Sequence, residues 1–324
     1  MNVTRRAVLA MPLGLLAPAL HAQSLPQQAR LLVGFPPGAG ADLVARQLSV
    51  HLAGKLAPSV IVDNKPGGMA LIAAQAAVAA VPDGSTLLLN PSAAFTVTPH
   101  AVRKMAFSPF DDLTPVSQVC RYELGFAVGP AVPASVTSLS QFVAWAREQK
   151  TPLAYGSPGA GSSIHFMAHA FNSSQQLNML HVPYKGASQV VTDMLGGQIA
   201  AGAGSLPALM AQAKGGRIRV LASTGRGRSR YFPEIPTFEE QGFEGLDMRE
   251  WHGIYVGGKP AGQVLERLVS VVHEVVRTPA FVEALGRMGF EAVSSTPREL
   301  DALGRADSAR WENIVKSSGF VADV

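Results

Sequence analysis

The chain has 324 residues, a length that suggests two domains and excludes a single small module. Hydrophobic residues make up 47% of it and charged residues 15%, so it can bury a large core and is too apolar for an intrinsically disordered protein. Its 27 basic and 23 acidic residues come close to balance. No stretch concentrates Lys and Arg as phosphate neutralisation requires, so no nucleic-acid partner is expected.

The first 22 residues have the pattern of a secretory signal peptide. Arg5 and Arg6 precede an apolar run at 7–20, and the small residue Ala22 marks the expected cleavage site. The run is interrupted by two prolines and is too short to span a bilayer. A buried N-terminal helix is the alternative. We expect a periplasmic protein exported by the general secretory route, although the paired arginines also fit twin-arginine export.

Short apolar runs alternate with helical patterns along the first part of the mature chain. In the helix predicted to open at Asp42, Val44, Leu48 and Leu52 recur at every fourth position and share one face. Such alternation is typical of a parallel sheet with helices on its faces. The predicted strands are residues 30–35, 60–63 and 85–90, and between them lie loops at 36–41 and 64–69, an Ala-rich helix at 70–80 and a turn at 81–84.

A second unit of the same kind follows. Its predicted strands are 124–128, 153–156, 179–184, 198–204 and 219–224, and its predicted helices are 138–149, 164–171 and 188–195. After one more strand at 251–256, three helices at 261–276, 279–288 and 297–316 close the chain. They bring too few strands for a third sheet, so we expect them to pack on the first unit.

The pattern therefore predicts an α/β protein with two domains. The first comprises residues 23–125 and 247–324, and the second comprises residues 126–246. The chain would cross between them near 124–128 and 247–256, where the molecule would hinge. Because strand-to-helix loops gather at the carboxyl ends of parallel strands, a ligand is expected in the cleft between the domains.

Two glycine-rich loops each precede a predicted helix: PPGAGA at 36–41 and SPGAGSS at 157–163. Free backbone N–H groups and the positive end of the helix dipole make such helix N-termini anion sites, and glycine permits close backbone approach. Ser157, Ser162 and Ser163 add hydroxyl donors. Tight-turn geometry alone would account for either loop, but a pair of loops, one in each domain, favours an anion site.

Known catalytic patterns are missing from the sequence. Neither glycine-rich loop completes G-x-G-x-x-G, and there is no Walker A loop and no G-x-S-x-G elbow. His165 and His169 have the spacing of two metal ligands, but the helix lacks the Glu of H-E-x-x-H and no cysteine lies nearby. We expect no catalytic residues, no metal and no cofactor.

Two further residues have open roles at this stage. Cys120 is the only cysteine, which excludes an intrachain disulfide, and we expect it to be a small core residue rather than a nucleophile. Trp251 belongs either to the core or to the wall of the cleft.

Several sequence blocks, in order along nearly the whole mature chain, resemble the periplasmic solute-binding receptors of tripartite tricarboxylate transporters, the TctC-like or Bug family. They include LLVGFPPGAGADLVARQL at 31–48, YGSPGAGSSIHFMA at 155–168, HVPYKGASQVVTDMLGGQI at 181–199 and the W-x-G sequence at Trp251. Further blocks lie at 60–73, 81–89, 216–225 and 232–243.

The resemblance implies a type II periplasmic-binding-protein fold, in which two α/β domains close on a small carboxylate. It also implies that the loops at 35–41 and 156–163 hold the ligand carboxylate through backbone N–H groups and ordered water. The candidate ligand-binding residues are Phe35, Pro37, Gly38, Ala39, Ala41, Asp42, Asn90, Ser92, Gly156, Ser157, Gly159, Gly161, Ser162, Ser163, His165, Tyr184 and Gly204.

This chain departs from the family pattern at two positions. Ala39 stands where relatives commonly have the second glycine of P-P-G-G, and Gly204 stands where relatives have an Asp that can hold a ligand amino group. A buried ammonium group needs such a carboxylate, because leaving it unpaired is costly. The resemblance together with this substitution favours a non-amino organic or aromatic acid as the ligand.

The expected function is capture of a small carboxylate, by a monomeric receptor, for the membrane subunits of a tripartite tricarboxylate-type transporter. A ligand-sensing receptor for a membrane signalling protein remains an alternative. A secreted enzyme on an α/β scaffold is a further alternative.

Overall fold

The computed structural model describes residues 26–322, so the predicted signal peptide lies outside the described residues. The strands are β1 (Gln28–Val33), β2 (Ser59–Asn64), β3 (Thr86–Pro91), β4 (Leu113–Val128), β5 (Ala154–Pro158), β6 (Leu180–Tyr184), β7 (Ala201–Ser205), β8 (Arg219–Ser223), β9 (Arg249–Gly257) and β10 (Glu291–Ala292). The α-helices are α1 (Gly40–Leu52), α2 (Leu71–Val78), α3 (Ala93–Thr96), α4 (Thr98–Ala101), α5 (Leu139–Arg147), α6 (Ser163–Ser174), α7 (Ala187–Leu195), α8 (Leu206–Ala213), α9 (Gly262–Val276), α10 (Pro279–Arg287) and α11 (Pro297–Ser318).

The strands form two sheets that share the long strand β4. The first sheet has the order β2-β1-β3-β9-β4, with β10 paired to β4, and the second contains β4, β7, β5 and β6, with β8 also paired to β4. β1, β2 and β3 run parallel, as do β5, β6 and β7. These parallel pairs confirm the predicted parallel sheets, to which β9 and β4 add antiparallel pairs.

β4 carries the chain from one sheet to the other. Its 16 residues pair with β9 as far as Glu123, and from Leu124 onward they pair with β7 and β8. The return crossing meets it there, since Arg249 of β9 is the register partner of Glu123. The crossings lie near the predicted hinge, but the predicted strand 124–128 is only the last third of β4.

Most of the longer helices pack an apolar face on a sheet. In α1, the predicted stripe of Val44, Leu48 and Leu52 is fully buried. α9 and α10 pack against the first sheet and α1, as predicted for the closing helices. α11 differs from that prediction because it contacts α6 of the second unit as well as β4, α3 and α4.

Some element limits differ from the sequence pattern for local reasons. The predicted helix 70–80 begins at Leu71, because Met69 and Ala70 have left-handed backbone conformations with φ of 54° and 71°. α3, α4 and α8 were not predicted. Cys120 is a buried, free core residue, as expected.

Candidate ligand cleft

A cavity of about 200 Å³ lies where the N-termini of α1 and α6 meet the ends of β3 and β9. Residues of both sheets' loops line it: Phe35, Ala39, Gly40, Ala41, Met69, Pro91, Ala93, Ala94, Thr98, Tyr122, Gly159, Ala160, Gly161, Ser162, Ser163, Ile164, Ser205, Glu250, His252 and Phe290. A larger cavity of about 470 Å³ lies between the 81–84 turn and α9, away from both glycine-rich loops. We therefore take the smaller cavity as the candidate site.

The N-terminus of α1 faces the cavity with unpaired backbone donors. Its N-cap residue is Ala39, which has no polar side chain to cap the helix. Within residues 26–322, the N–H groups of Gly40 and Ala41 have no hydrogen-bond partner. They are the first two helical residues, and such N–H groups are favourable partners for an anion.

Asp42 stabilises this loop from behind. Its carboxylate accepts hydrogen bonds from the Gly38 N–H at 2.8 Å, from Arg46 Nε at 2.8 Å and from Asn64 Nδ2 at 2.9 Å. Burial alone would raise the pKa of Asp42, but the hydrogen bonds from Arg46, Gly38 and Asn64 outweigh it and lower the pKa. The carboxylate is therefore charged, and it accepts hydrogen bonds from these three protein donors.

The N-terminus of α6 has a related arrangement. Ser162 Oγ accepts the His165 N–H at 3.1 Å, and the Gly161 N–H donates to His165 Nδ1 at 3.2 Å. In the described part of the chain, the N–H groups of Ser163 and Ile164 have no partner. This second pair of donors faces the same cavity as the pair in α1.

A stacked pair of histidines, the buried His165 and the half-buried His181, supports the α6 loop. The rings of His165 and His181 stack with centroids 3.9 Å apart, and Ser157 Oγ lies 2.8 Å from His181 Nε2. Burial, together with the neighbouring His181, lowers the pKa of His165 to about 3, and burial lowers that of His181 to about 4. Both rings are therefore neutral at pH 7, as the hydrogen bond accepted by His165 requires.

Among the described residues that line the cavity, Glu250 is the only Asp, Glu, Lys or Arg. Ser92 Oγ donates to its carboxyl group at 2.6 Å, and the Ser163 hydroxyl and the Ala93 N–H also donate to it. Burial raises the pKa of Glu250, and these hydrogen bonds only partly oppose that effect. Among residues 26–322, no Lys or Arg side chain lines the cavity, so the donors these residues offer to an anion are neutral groups.

The rest of the wall is largely apolar and aromatic. Tyr122 packs edge-on against Phe290 and His252, with ring centroids 5.1 and 5.2 Å apart. Phe35 and Met69 complete this wall. Burial lowers the pKa of His252 to about 3, so its imidazole is neutral. An apolar wall with a few convergent donors is the usual composition of a small-molecule site.

The structure brings some of the predicted site residues together at the cavity and places others behind it. Those on its wall are Phe35, Ala39, Ala41, Gly159, Gly161, Ser162 and Ser163. Their grouping leaves the ligand-binding role itself a prediction. In this structure the N–H groups of Gly38 and Gly161 donate to Asp42 and His165.

The other predicted residues do not line the cavity, for identifiable reasons. Pro37 is solvent-exposed, and Asn90 is buried against Ala70. Ser92 binds Glu250, whereas Ser157 and His165 belong to the histidine cluster.

The last three predicted ligand-binding residues belong to the second unit and do not line the cavity. Tyr184 donates to Asp193 Oδ2 at 2.7 Å, and a Cβ on Gly156 would meet Ile199 and Tyr184. A Cβ on Gly204 would lie 3.1 Å from Leu209 Cγ, so this position points at α8 rather than into the cavity.

Sequence reasoning missed several lining residues, among them Glu250, His252, Tyr122, Met69 and Phe290. The W-x-G block at Trp251 was a usable signal. Because side chains alternate along a strand, Glu250 and His252 face the cavity while Trp251 points away into the core and donates to Asp307 Oδ2 at 2.8 Å.

Comparison with known proteins identifies the family. Residues 44–320 match the model of the tripartite tricarboxylate transporter family receptor. The chain belongs to this family. Its members are periplasmic solute-binding receptors rather than enzymes, and the family implies a periplasmic location. Within residues 26–322, no helix is both long and apolar enough to cross a membrane.

Individual receptors of this family are similar over nearly the whole chain. The protein BugT of Bordetella pertussis is 28% identical over 291 residues, which covers 90% of this chain and 89% of BugT. A solved periplasmic transporter protein shares 27% identity with a TM-score of 0.83 and covers 91% of this chain and 98% of its own. An R. palustris protein solved with adipate shares 26% identity with a TM-score of 0.84, covering 91% and 98%. These likenesses confirm the two-domain periplasmic-binding-protein fold.

Proposed function

We propose that this receptor captures a small carboxylate in the cavity between the N-termini of α1 and α6 and delivers it to the membrane subunits of a tripartite transporter. The observation that carries the proposal is the pair of facing helix N-termini. Each offers two backbone N–H groups without a partner among the described residues, Gly40 and Ala41 on one side and Ser163 and Ile164 on the other.

The bound group is an anion held by neutral donors. Four N–H groups and two helix dipoles stabilise one negative charge, and the absence of lining Lys or Arg favours a single carboxylate at this end of the cavity. A relative of this family has been solved with adipate, a carboxylate. The cavity of about 200 Å³ is below the usual range of drug-sized pockets, which suits a small solute.

The carboxyl groups near the cavity support a ligand without an amino group. Asp42 already accepts from Gly38, Arg46 and Asn64, and Glu250 already accepts from Ser92, Ser163 and Ala93. An ammonium group brings three donors and needs acceptors for them. Neither carboxyl group has enough free lone pairs to supply those acceptors, so we propose a non-amino organic or aromatic acid.

A thermal-shift panel of acetate, succinate, adipate, benzoate, aspartate and glutamate tests this proposal. A ligand at 100 times its Kd stabilises the folded protein by about 2.7 kcal/mol, which is readily measured. We expect shifts from at least one non-amino acid and none from the two amino acids. Stabilisation by aspartate or glutamate alone would contradict the proposed ligand class, and no shift with any carboxylate would contradict carboxylate capture.

A further inference from the structure

The carboxyl group of Glu250 touches both halves of the molecule inside the candidate site. Ser92 and Ala93, which follow β3 in the first sheet, donate to it, and so does Ser163, the first residue of α6. Glu250 itself is only 3% exposed. A buried carboxyl group therefore shares Ser163 with the proposed anion site, since the Ser163 hydroxyl bonds Glu250 and the Ser163 N–H faces the cavity.

An ionised Glu250 and an ionised ligand carboxylate would repel each other in this cavity. Like charges that share a site raise the pKa of at least one group, so that the two do not ionise together. A cation would remove the conflict, but no Lys or Arg side chain lines this cavity within residues 26–322. The neutral N–H donors and the helix dipoles suffice for one full negative charge rather than two.

We propose that a small carboxylate and one proton occupy the cavity together, with the proton on Glu250. The proton comes from solvent and adds to a carboxylate oxygen of Glu250, which becomes a neutral acid that can donate a hydrogen bond to the ligand. Glu250 thereby sets a pH limit on capture, because its ionised form repels the ligand. This inference rests on the proposed carboxylate capture.

The other titratable groups around Glu250 do not account for such an effect. Tyr122 faces it from β4, His252 lies beside it on β9, and Asp307 acts on it from α11. Burial raises the pKa of Tyr122 well above its ordinary value and lowers that of His252 to about 3, so both stay neutral between pH 6 and 9. Asp307 accepts from Trp251 Nε1 and does not line the cavity, which makes it a matched control.

Isothermal titration calorimetry between pH 6 and 9 tests the proposal, using the tightest binder among acetate, adipate and benzoate. We expect wild-type affinity to fall by up to about tenfold per pH unit above the pKa of Glu250, as one-proton linkage requires. Glu250→Gln, which is neutral at every pH, should bind at the acid-end affinity without pH dependence. Asp307→Asn should keep a pH-dependent affinity, but the fall should begin at lower pH, because the Asp307 charge raises the pKa of Glu250.

A second measurement needs no variant. Titrations of the wild type in two buffers with different ionisation enthalpies report the number of protons taken up per ligand, and we expect up to one where affinity is falling. A pH-independent wild type, or a folded Glu250→Gln variant that has lost binding at every pH, would overturn the role of Glu250 while leaving carboxylate capture intact. Failure of all three carboxylates to bind would instead overturn the proposed function, and this inference with it.

Discussion

The loops at the N-termini of α1 and α6 are each fixed by a hydrogen bond from a glycine N–H to a side chain four residues later, but the two acceptors differ chemically. In α1, the third helical residue, Asp42, reaches back four residues and accepts the N–H of Gly38. In α6, the third helical residue, His165, does the same for Gly161. One acceptor is a charged carboxylate paired with Arg46, and the other is a neutral imidazole stacked on His181.

The difference teaches which atoms are left for a ligand. Because both glycine N–H groups are already bonded, the open donors are other N–H groups, among them those of the first two residues of each helix. The loops also differ in their N-caps, since Ser162 caps α6 with its side chain whereas Ala39 leaves α1 uncapped. Four predictions test how far the two loops are equivalent.

The largest effect is expected from alanine at the two loop glycines. Gly161 and Gly38 have similar left-handed backbones, with φ of 76° and 82°, but a Cβ on Gly161 would lie 2.7 Å from Phe320 whereas one on Gly38 meets nothing within 4 Å. We expect Gly38→Ala to cost about 1 kcal/mol of unfolding free energy from backbone strain alone. Gly161→Ala should cost on the order of 3 kcal/mol and impair ligand binding, because the clash adds to the strain.

Urea denaturation and calorimetry of both variants measure this difference. Gly186→Ala is the control, because that position has no positive φ and open space around it. Equal losses for Gly38→Ala and Gly161→Ala would show that the contact with Phe320 does not constrain the second loop.

The second prediction concerns acid sensitivity of the α6 loop. The unfolded chain protonates His165 below about pH 6.5, but the folded protein does so only near its lowered pKa of about 3, so the unfolding free energy falls as pH decreases through that window. His165→Asn keeps an acceptor for the Gly161 N–H and cannot titrate. We expect it to reduce the slope of unfolding free energy against pH by about 1.4 kcal/mol per pH unit between pH 6 and 4.

Chemical denaturation at half-unit pH steps gives this slope. The corresponding loop in α1 offers the contrast. The pKa of Asp42 is also lowered, but from the ordinary range of a carboxyl group, so its contribution to stability is lost only as pH falls below that range. An unchanged slope in His165→Asn would mean that His165 is not the group that titrates.

The third prediction removes the cap that α6 has and α1 lacks. Ser162→Ala deprives the His165 N–H of its acceptor and should lower the unfolding free energy by about 1 kcal/mol. Thermal or urea denaturation measures the loss. Ser174→Ala at the other end of α6 is the comparison, because its hydroxyl donates to the Phe171 carbonyl and accepts from the Gln175 side chain but caps no backbone N–H group.

The smallest effect is expected from adding that cap to α1. The backbone of Ala39, with φ of −70° and ψ of 159°, suits an N-cap serine. Ala39→Ser should raise the unfolding free energy by about 0.5 kcal/mol and weaken carboxylate binding, because the new hydroxyl competes for the N–H groups of the first turn. Stronger binding in this variant would show that those N–H groups are not the ligand donors.

Sequence patterns predicted the two loops and their helices because glycine-rich turns before amphipathic helices are local signals. They failed where the deciding contact is distant. The first part of β4, Leu113 to Glu123, has no clear alternation, because it is covered on both faces and paired with β9, more than a hundred residues later in the chain. Likewise, no local pattern shows that Glu250 is buried beside Ser92, 158 positions away.

The hydrogen bonds of the loop glycines illustrate the same limit. Sequence identifies Gly38 and Gly161 as permissive backbone positions, which they are, with positive φ. It does not show that a side chain four residues later takes each N–H group. Gly204 was singled out through family resemblance, but a Cβ at this position would contact Leu209 rather than line the cavity.

A cleft whose proposed anion donors belong to the main chain has an evolutionary consequence. The N–H groups of Gly40, Ala41, Ser163 and Ile164 survive almost any side-chain replacement that leaves the two helices in place. We therefore expect mutations at Phe35, Met69 or Phe290 to reshape the space for the rest of the solute without changing the proposed carboxylate donors. Such a division of labour allows new nutrient preferences to arise through single substitutions in a duplicated gene.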